Sequence, residues 1–438
     1  MVKLSFLFAF RFLGMLDWWH MRYITDLHIH SKYSRACSKD LDLEHNDQWA
    51  RLKGIQVVGT GDFTHPSWFK ELKEKLVEEK SGLFKLKGTD GQVLFMITTE
   101  LSCIYSQDGK TRRIHLCVFS PDLATVGKIN QELERRGVNL RSDGRPIMGL
   151  SAEVLTEIIL GVNPECLVIP AHAWTPWFSV FGSNSGFDSL QECFGEMTKH
   201  IYAIETGLSS DPPMNWRLSA LDKITLISNS DAHSSANLGR EANVFGIEPA
   251  KLSYQEIRRI IKEKDKKKFL YTLEFFPQEG KYHWDGHRDC GVQLSPAESK
   301  KHQGLCPQCQ RRLTIGVENR VGQLANRSAA TVGGSIPYKS LVPLAEIIAE
   351  TLGVGKGSKK VAAAYQQLVA AGGSEFEVLL DLDTNQLSAI TGPEIVSGII
   401  NVRRGQVQIS PGYDGVYGKV SVFPAGQARK KVQQKSLF

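Results

Sequence analysis

The sequence predicts an α/β fold: a sheet of parallel strands closed into a barrel, followed by a small metal-binding module and a mainly helical C-terminal region. Three observations carry this. Seven short runs of β-branched and aliphatic residues recur through the first 235 positions, at 23–27, 55–59, 93–98, 113–119, 166–170, 202–204 and 224–228. Stretches of helical period at 68–79, 125–136 and 152–160 separate several of them, and strand alternating with helix is the pattern of parallel βαβ units. After Phe276 the composition turns to a Gly- and His-rich linker with clustered cysteines, and then to a helical stretch from about 341 to 371. At 438 residues the chain exceeds one ordinary core, which suits a large domain at 21–275, a metal-binding module at 276–330 and a helical region at 331–425.

Taken in order, residues 1–20 hold an apolar run at 4–10 that resembles a short signal segment, but Arg11 interrupts it and no small-residue cleavage site follows. They carry no reading, and Met21, directly before the first strand, is an alternative start. No other segment reaches the roughly 18 apolar residues needed to span a bilayer. Eight cysteines in so long a chain are too few and too scattered for a secreted disulfide scaffold, so a reducing cytoplasm is expected.

Within or just after each strand run stands an ionisable residue: His28 and His30, Asp62, Glu100, His115, His172, Glu205, then Asp231 with His233. In a barrel of this kind the C-terminal strand ends converge on one face, so these residues share a pocket. Side chains at i and i+2 of a strand point the same way, which lets His28 and His30 reach one metal while Ile29 packs behind. Imidazoles suit zinc, manganese or iron, and carboxylates such as Glu100 and Asp231 can bridge two cations. Glu205 reads either as a further ligand or as a structural carboxylate beside the site.

The ordered set Asp26-Leu27-His28-Ile29-His30-Ser31, Gly59-Thr60-Gly61-Asp62, Thr99-Glu100, Ile114-His115, Pro170-Ala171-His172 and Ser230-Asp231-Ala232-His233 resembles the motifs of the polymerase-and-histidinol-phosphatase (PHP) domain over about 21–250. That resemblance implies a distorted (β/α)₇ barrel hydrolysing phosphoesters with two or three divalent metals: zinc, manganese or magnesium. It implies that His28, His30, Glu100 and Asp231 hold the first metal, and Glu100, His115 and His172 the second. Asp62, His65 and His233 would complete the site or bind a third ion. Asp231, Glu100 and His172 are the expected catalytic residues. Phe63 and Ala36 depart from the family pattern at places where ligands are usual.

His287-x₂-Cys290 and Cys306-x₂-Cys309 are separated by fifteen residues, two knuckles of the kind that close a tetrahedral structural zinc. His283 and His302 are alternatives for the histidine. The net charge of +6 is concentrated here: 281–360 hold 12 Lys and Arg against 6 Asp and Glu, which points to a polyanionic partner. Arg288, Lys300, Lys301, Arg311, Arg312, Arg320 and Arg327 are the expected phosphate contacts, and the Gly- and Lys-rich turn at 353–360 a further one.

Barrel, zinc knuckles, helical region and the segment Pro411-Gly412-Tyr413-Asp414-Gly415-Val416-Tyr417-Gly418 together resemble the endonuclease Q family from Met21 nearly to the C-terminus, as do Phe275-Phe276-Pro277, Asp285-Gly286-His287-Arg288 and Leu313-Thr314-Ile315-Gly316-Val317. The resemblance implies nicking of DNA on the 5′ side of uracil, hypoxanthine, xanthine and abasic sites. Reading an altered base requires turning it into a pocket, for which Trp174, Trp177, Tyr413 and Tyr417 are aromatic candidates. The tail at 426–438 ends in a peptide that resembles a sliding-clamp ligand through Gln434, Leu437 and Phe438. The rival functions are a small-molecule phosphatase of the histidinol-phosphate type, which needs no zinc module, and a catalytically silent DNA-binding scaffold, which needs no ligand set.

Overall fold

In the computed structural model, residues 21–328 and 335–423 are described. Each of the seven expected runs contains a strand: β1 (Arg22–Asp26), β2 (Val57–Gly59), β3 (Leu94–Gln107), β4 (Lys110–Ser120), β5 (Leu167–Pro170), β6 (Ala203–Glu205) and β7 (Thr225–Ile227). They follow one another around a ring. β1 pairs with β2 and β2 with β3 in parallel, with Thr25 opposite Val57 and Val58 opposite Phe95. β3, β4 and β5 pair antiparallel, and β6 and β7 pair in parallel. The ring closes where the Ala173 amide donates to Glu205 O at 2.9 Å and where Ile29, just after β1, bridges Ala232, just after β7.

The sheet is mixed, not wholly parallel as the alternation suggested. Asp108 and Gly109 form a two-residue turn with φ of 53° and 70°, which folds β3 straight back onto β4 without a crossover helix. Two further strands, β8 (Ala242–Gly246) and β9 (Phe269–Glu274), extend the sheet antiparallel beyond β1. The helices start where the sequence supplies side-chain caps. α1 (Leu43–Lys53) is capped by Asp42 and ends on Gly54 in the left-handed region, α3 (Leu123–Arg135) follows Asp122 and α4 (Ala152–Val162) follows Ser151, while α2 (Pro66–Lys75) begins with proline at its first position. Their apolar faces and the strands bury a core that includes Ile24, Val58, Phe63, Trp68, Phe95 and Ile129.

After β9, a hairpin of β10 (Asp285–His287) and β11 (Val292–Leu294) precedes helix α5 (Val317–Leu324). Among the described residues four α-helices follow, α6 (Leu344–Leu352), α7 (Lys359–Gly372), α8 (Thr384–Ile390) and α9 (Pro393–Arg403), with a π-helical turn at Glu377–Asp381 between α7 and α8. They dock on the barrel through charged pairs. Lys53 at the end of α1 lies 2.9 Å from Glu375, and Arg22 of β1 reaches Asp381 at 2.9 Å. Among the described residues no helix is long and apolar enough to cross a membrane. The expected clamp peptide, Gln434, Leu437 and Phe438, lies outside the described residues.

Candidate metal centre

The ring brings the strand-end residues to one face. His28 and His30 follow β1, Glu100 lies on β3, His115 on β4, His172 follows β5 and Asp231 follows β7. Each buried histidine of the first pair is held from behind by a carboxylate. His28 Nδ1 is 2.9 Å from Glu205 Oε2, and His30 Nδ1 is 3.1 Å from Asp62 Oδ1. Their opposite nitrogens face inward together: His30 Nε2 lies 2.9 Å from Asp231 Oδ1 and 3.5 Å from Glu100 Oε2, and His28 Nε2 lies 3.6 and 3.7 Å from the same two oxygens. His28 Nε2 is buried with no hydrogen-bond partner, the condition of a nitrogen waiting for a cation.

Glu100 turns its other oxygen to a second group, 2.7 Å from His115 Nδ1 and 3.0 Å from His172 Nε2. One ligand atom each from His28, His30, Glu100 and Asp231 lies within 4.8 Å of the others, and the same is true of Glu100, His115 and His172. Glu100 therefore stands between two donor sets, each of nitrogen and oxygen, which suits a bridged pair of divalent cations.

Strong opposing charges run through the cluster. Although burial opposes it, the carboxylates of Asp231 and Asp62 push His30 up to about 9. Burial depresses His115 to about 4 against the pull of Glu100. Despite burial, Glu100 and Asp231 are held below the ordinary carboxylate range by surrounding histidines, with Arg145 also acting on Glu100. Asp62, His172 and Asp231 have φ of 48°, 30° and 48°, a left-handed backbone that is unfavourable for residues with a β-carbon and is held at sites the fold over-determines. Gly207, with φ of 61°, packs on the His172 backbone where a β-carbon would collide.

Three expected metal residues stand outside the two groups. Asp62 lies behind His30, where its Oδ2 accepts from the Ser31 amide at 2.6 Å and from the Ser31 and Ser34 hydroxyls at 2.7 and 2.8 Å. His65 stands directly before α2, where its side chain makes no capping hydrogen bond, and stacks on Tyr33 with ring centres 4.4 Å apart. His233 leans its ring on His30 at 4.6 Å and turns Nδ1 to the Asp231 carbonyl at 2.8 Å. Phe63, at a family ligand position, is core. Glu205 stands behind His28 Nδ1 and accepts from Asn229 Nδ2 and the His172 amide, both at 2.9 Å, and one of its oxygens also lies within 4.8 Å of ligand atoms of His28 and Cys117. Sequence reasoning missed Arg145, whose Nη1 lies 2.9 Å from Glu100 Oε2. A lone arginine in a Ser-Asp-Gly-Arg loop carries no signal of its own.

Beside the metal groups opens a cleft of about 600 Å³. Its walls come from the barrel, through Asp231, His172 and Trp177, and from the segments after it, through Lys281, Tyr282 and Tyr417. Trp177 meets Tyr282 edge to face with ring centres 5.5 Å apart, and Lys281 lies over the Tyr417 ring at 4.7 Å. The other two aromatic candidates sit elsewhere. Trp174 is core, bonded to Asn215 at 2.7 Å, and Tyr413 bridges Trp284.

In the module after the barrel, ligand atoms of His287, Cys290, Cys306 and Cys309 also lie within 4.8 Å of one another. Burial pushes the Cys306 thiol up, yet the amides of Cys309 and Gln308 bring it down to about 7, while burial and the neighbouring Cys309 and Cys306 push Cys290 up to about 11. His283 and His302 are not in this group. Arg320 and Arg327, expected to reach phosphate, are instead engaged with the barrel: Arg320 Nε donates to Phe181 O at 2.9 Å and Arg327 Nη1 pairs with Asp222 at 2.9 Å.

Over 92% of its length this chain superimposes on 95% of a solved chain, the lesion-specific endonuclease PfuEndoQ from Pyrococcus furiosus, with a TM-score of 0.80 and 33% sequence identity. The chain belongs to the endonuclease Q family. A second family structure, Endonuclease Q in complex with a 27-mer duplex bearing an abasic lesion at the active site, matches with a TM-score of 0.81 and 32% identity, covering 94% of this chain and 99% of that one. The uncharacterized protein MJ0043 of Methanocaldococcus jannaschii is 33% identical over 58% of this chain, and the match spans only 32% of that longer protein. Residues 343–406, which hold α6 to α9, match the family described as the MJ0043 C-terminal domain.

Proposed function

We propose that this chain is a DNA-cleaving hydrolase that nicks DNA on the 5′ side of deaminated bases (uracil, hypoxanthine and xanthine) and of abasic sites, using two divalent cations. The observation that carries this is the shared cleft. Carboxylate and imidazole donors stand on one wall, and Lys281, Tyr282 and Tyr417, from segments a barrel phosphatase does not need, form the other. Kinship with a lesion-specific endonuclease and with a family structure holding an abasic duplex supports the same reading.

His28, His30, Glu100 and Asp231 would hold one cation and Glu100, His115 and His172 the other. Such a pair supplies hydroxide from water near neutral pH and neutralises charge gathering on the phosphate. Glu205 and Asp62 fix the faces that His28 and His30 present, Asp231 is the carboxylate open to the cleft and placed to orient a water, and Trp177 and Tyr417 offer stacking surfaces for an unstacked base. His287, Cys290, Cys306 and Cys309 would hold a structural zinc with no position left for water. Gln434, Leu437 and Phe438 extend the proposal to a sliding clamp, tested by loss of clamp binding on deleting 434–438.

The deciding experiment incubates the full chain and manganese, magnesium or zinc with a labelled duplex carrying one deoxyuridine, deoxyinosine or abasic site. A nick 5′ to the lesion and none in undamaged duplex is expected. Turnover of p-nitrophenyl phosphate without nicking would make the chain a small-molecule phosphatase instead.

A further inference from the structure

The loop at 141–149 crosses the open face of the metal groups and is fixed on both sides. The Gly144 amide donates to Tyr33 O at 3.0 Å, the Ser102 amide donates to Pro146 O at 3.2 Å, and Ile147–Met148 pairs with Ser102 and Cys103 of β3. Gly144 packs against Asp62 and Ser34 so closely that a β-carbon would collide with both. Arg145 is thus aimed by its loop. Its side chain is 25% exposed, and its Nη1 lies 2.9 Å from Glu100 Oε2, an oxygen that is itself wholly buried.

That oxygen has a second claim on it. It is the one facing His28 Nε2 at 3.7 Å and His30 Nε2 at 3.5 Å, inside the first donor group. A guanidinium and a divalent cation cannot share it comfortably, because like charges a few ångströms apart in a poorly solvated site repel strongly. On its own loop Asp143 also attracts the Arg145 guanidinium, while it accepts the Arg145 amide on Oδ1 at 3.0 Å and pairs through Oδ2 with the exposed Arg35 at 3.3 Å. The guanidinium lines the cleft with Asp231, where a phosphodiester entering the site would meet it. Arginine's planar fork suits phosphate oxygens.

We propose that Arg145 is a phosphate ligand of the cleft that competes with the first cation for Glu100, so that binding of that cation would turn the guanidinium to the scissile phosphate. This rests on reading the cleft as a metallophosphoesterase site. The consequence is an ordered assembly: the site gains its phosphate-binding arginine only after it has gained its metal.

The test compares the full-length wild type with Arg145→Gln and Arg145→Lys. Manganese is titrated without DNA and followed by electron paramagnetic resonance, and inorganic phosphate is then titrated into the manganese-loaded proteins by calorimetry. Arg145→Gln should bind manganese about tenfold more tightly, the scale of one competing charge-assisted hydrogen bond. The same variant should bind phosphate at least about tenfold more weakly. Arg145→Lys should fall between in both, and it carries the comparison if the glutamine variant melts without metal. Unchanged or weaker manganese binding in both variants would show that Arg145 merely props Glu100, and unchanged phosphate binding would remove it from the substrate. A wild type that takes up no manganese would overturn the metal site itself, an outcome separable from either.

Discussion

At the scale of single residues, the site is built in two shells whose inner members face each other and whose outer members aim them. Glu205 is the clearest outer member. It is fully buried, 2.9 Å from His28 Nδ1, and its remaining hydrogen bonds come from Asn229 and the His172 amide, so it ties the ligands that follow β1 and β5 to β6. Glu205→Gln keeps the shape but weakens the acceptor behind His28, and metal affinity should fall roughly 10- to 100-fold with little change in melting temperature. Equilibrium metal binding checks this; unaltered affinity would mean His28 needs no such support. The gathering of the inner residues was legible in the sequence because each stands within or just after a strand beside recognisable neighbours, Glu100 and His115 inside the long β3 and β4. The contacts of Asp62 were not: nothing in Gly-Thr-Gly-Asp shows that its carboxylate lies against the back of His30 and the hydroxyls of Ser31 and Ser34.

At the scale of elements, the strand ends are tied together below the site by Glu274, the last residue of β9, which accepts from Ser228 and from Thr206 at 3.2 Å. Burial raises this carboxyl to about 8 from an ordinary 4.5, with Asp211 adding to the rise against the lowering by its hydroxyl partners. The folded chain then keeps a proton that the unfolded chain gives up. The sign follows: no stability is lost below about pH 4.5, stability falls as pH rises between 4.5 and about 8, and the loss is complete above. Asp26, Asp211 and Glu279, raised by burial to about 6, 6 and 7, titrate in the same window, so Glu274→Gln should lessen but not abolish the fall in melting temperature between pH 5 and 8, and an equally steep fall in the variant would exclude Glu274 as a contributor. The module after the barrel makes a separate element-scale prediction. Its own core holds little more than Val292, Cys306 and Leu313, too small to stand alone, so Cys306→Ser should release one zinc per chain and open the hairpin of β10 and β11. Zinc release measured with a chromogenic chelator checks it, and a normal zinc content would exclude the cluster as a closed site. The spacing of the two knuckles anticipated the grouping of the three cysteines, while the choice of His287 over His283 and His302 emerges only in the fold. The mixed sheet was legible only in part, since Asp108-Gly109 marks a tight reversal that the alternation of strand and helix hides.

At the scale of the whole molecule, the barrel that carries the donor groups and the helices after residue 343 are held against each other by buried polar ties. Glu375 is the strongest of these. It is buried, and it accepts from Lys53 Nζ at 2.9 Å, from the Tyr365 hydroxyl at 2.7 Å and from the Leu344 amide at the start of α6 at 2.9 Å. No periodicity or motif announces such a contact, because its partners lie 322, 10 and 31 residues away and meet only in the fold. Glu375→Ala leaves a buried ammonium, a hydroxyl and a helix-start amide without their acceptor, and losing one partner of a buried charge pair costs about 3–5 kcal/mol. That loss falls on the junction between α1 and the helices after 343, while the donors around Glu100 stay on the barrel. The variant should therefore melt earlier at this junction and lose most of its nicking of a lesion-bearing duplex, yet still hydrolyse bis(p-nitrophenyl) phosphate, which needs only the metal groups. Differential scanning calorimetry and the two assays run side by side check this. If both activities fall together, the helical region supports the metal centre itself and does more than position DNA over it.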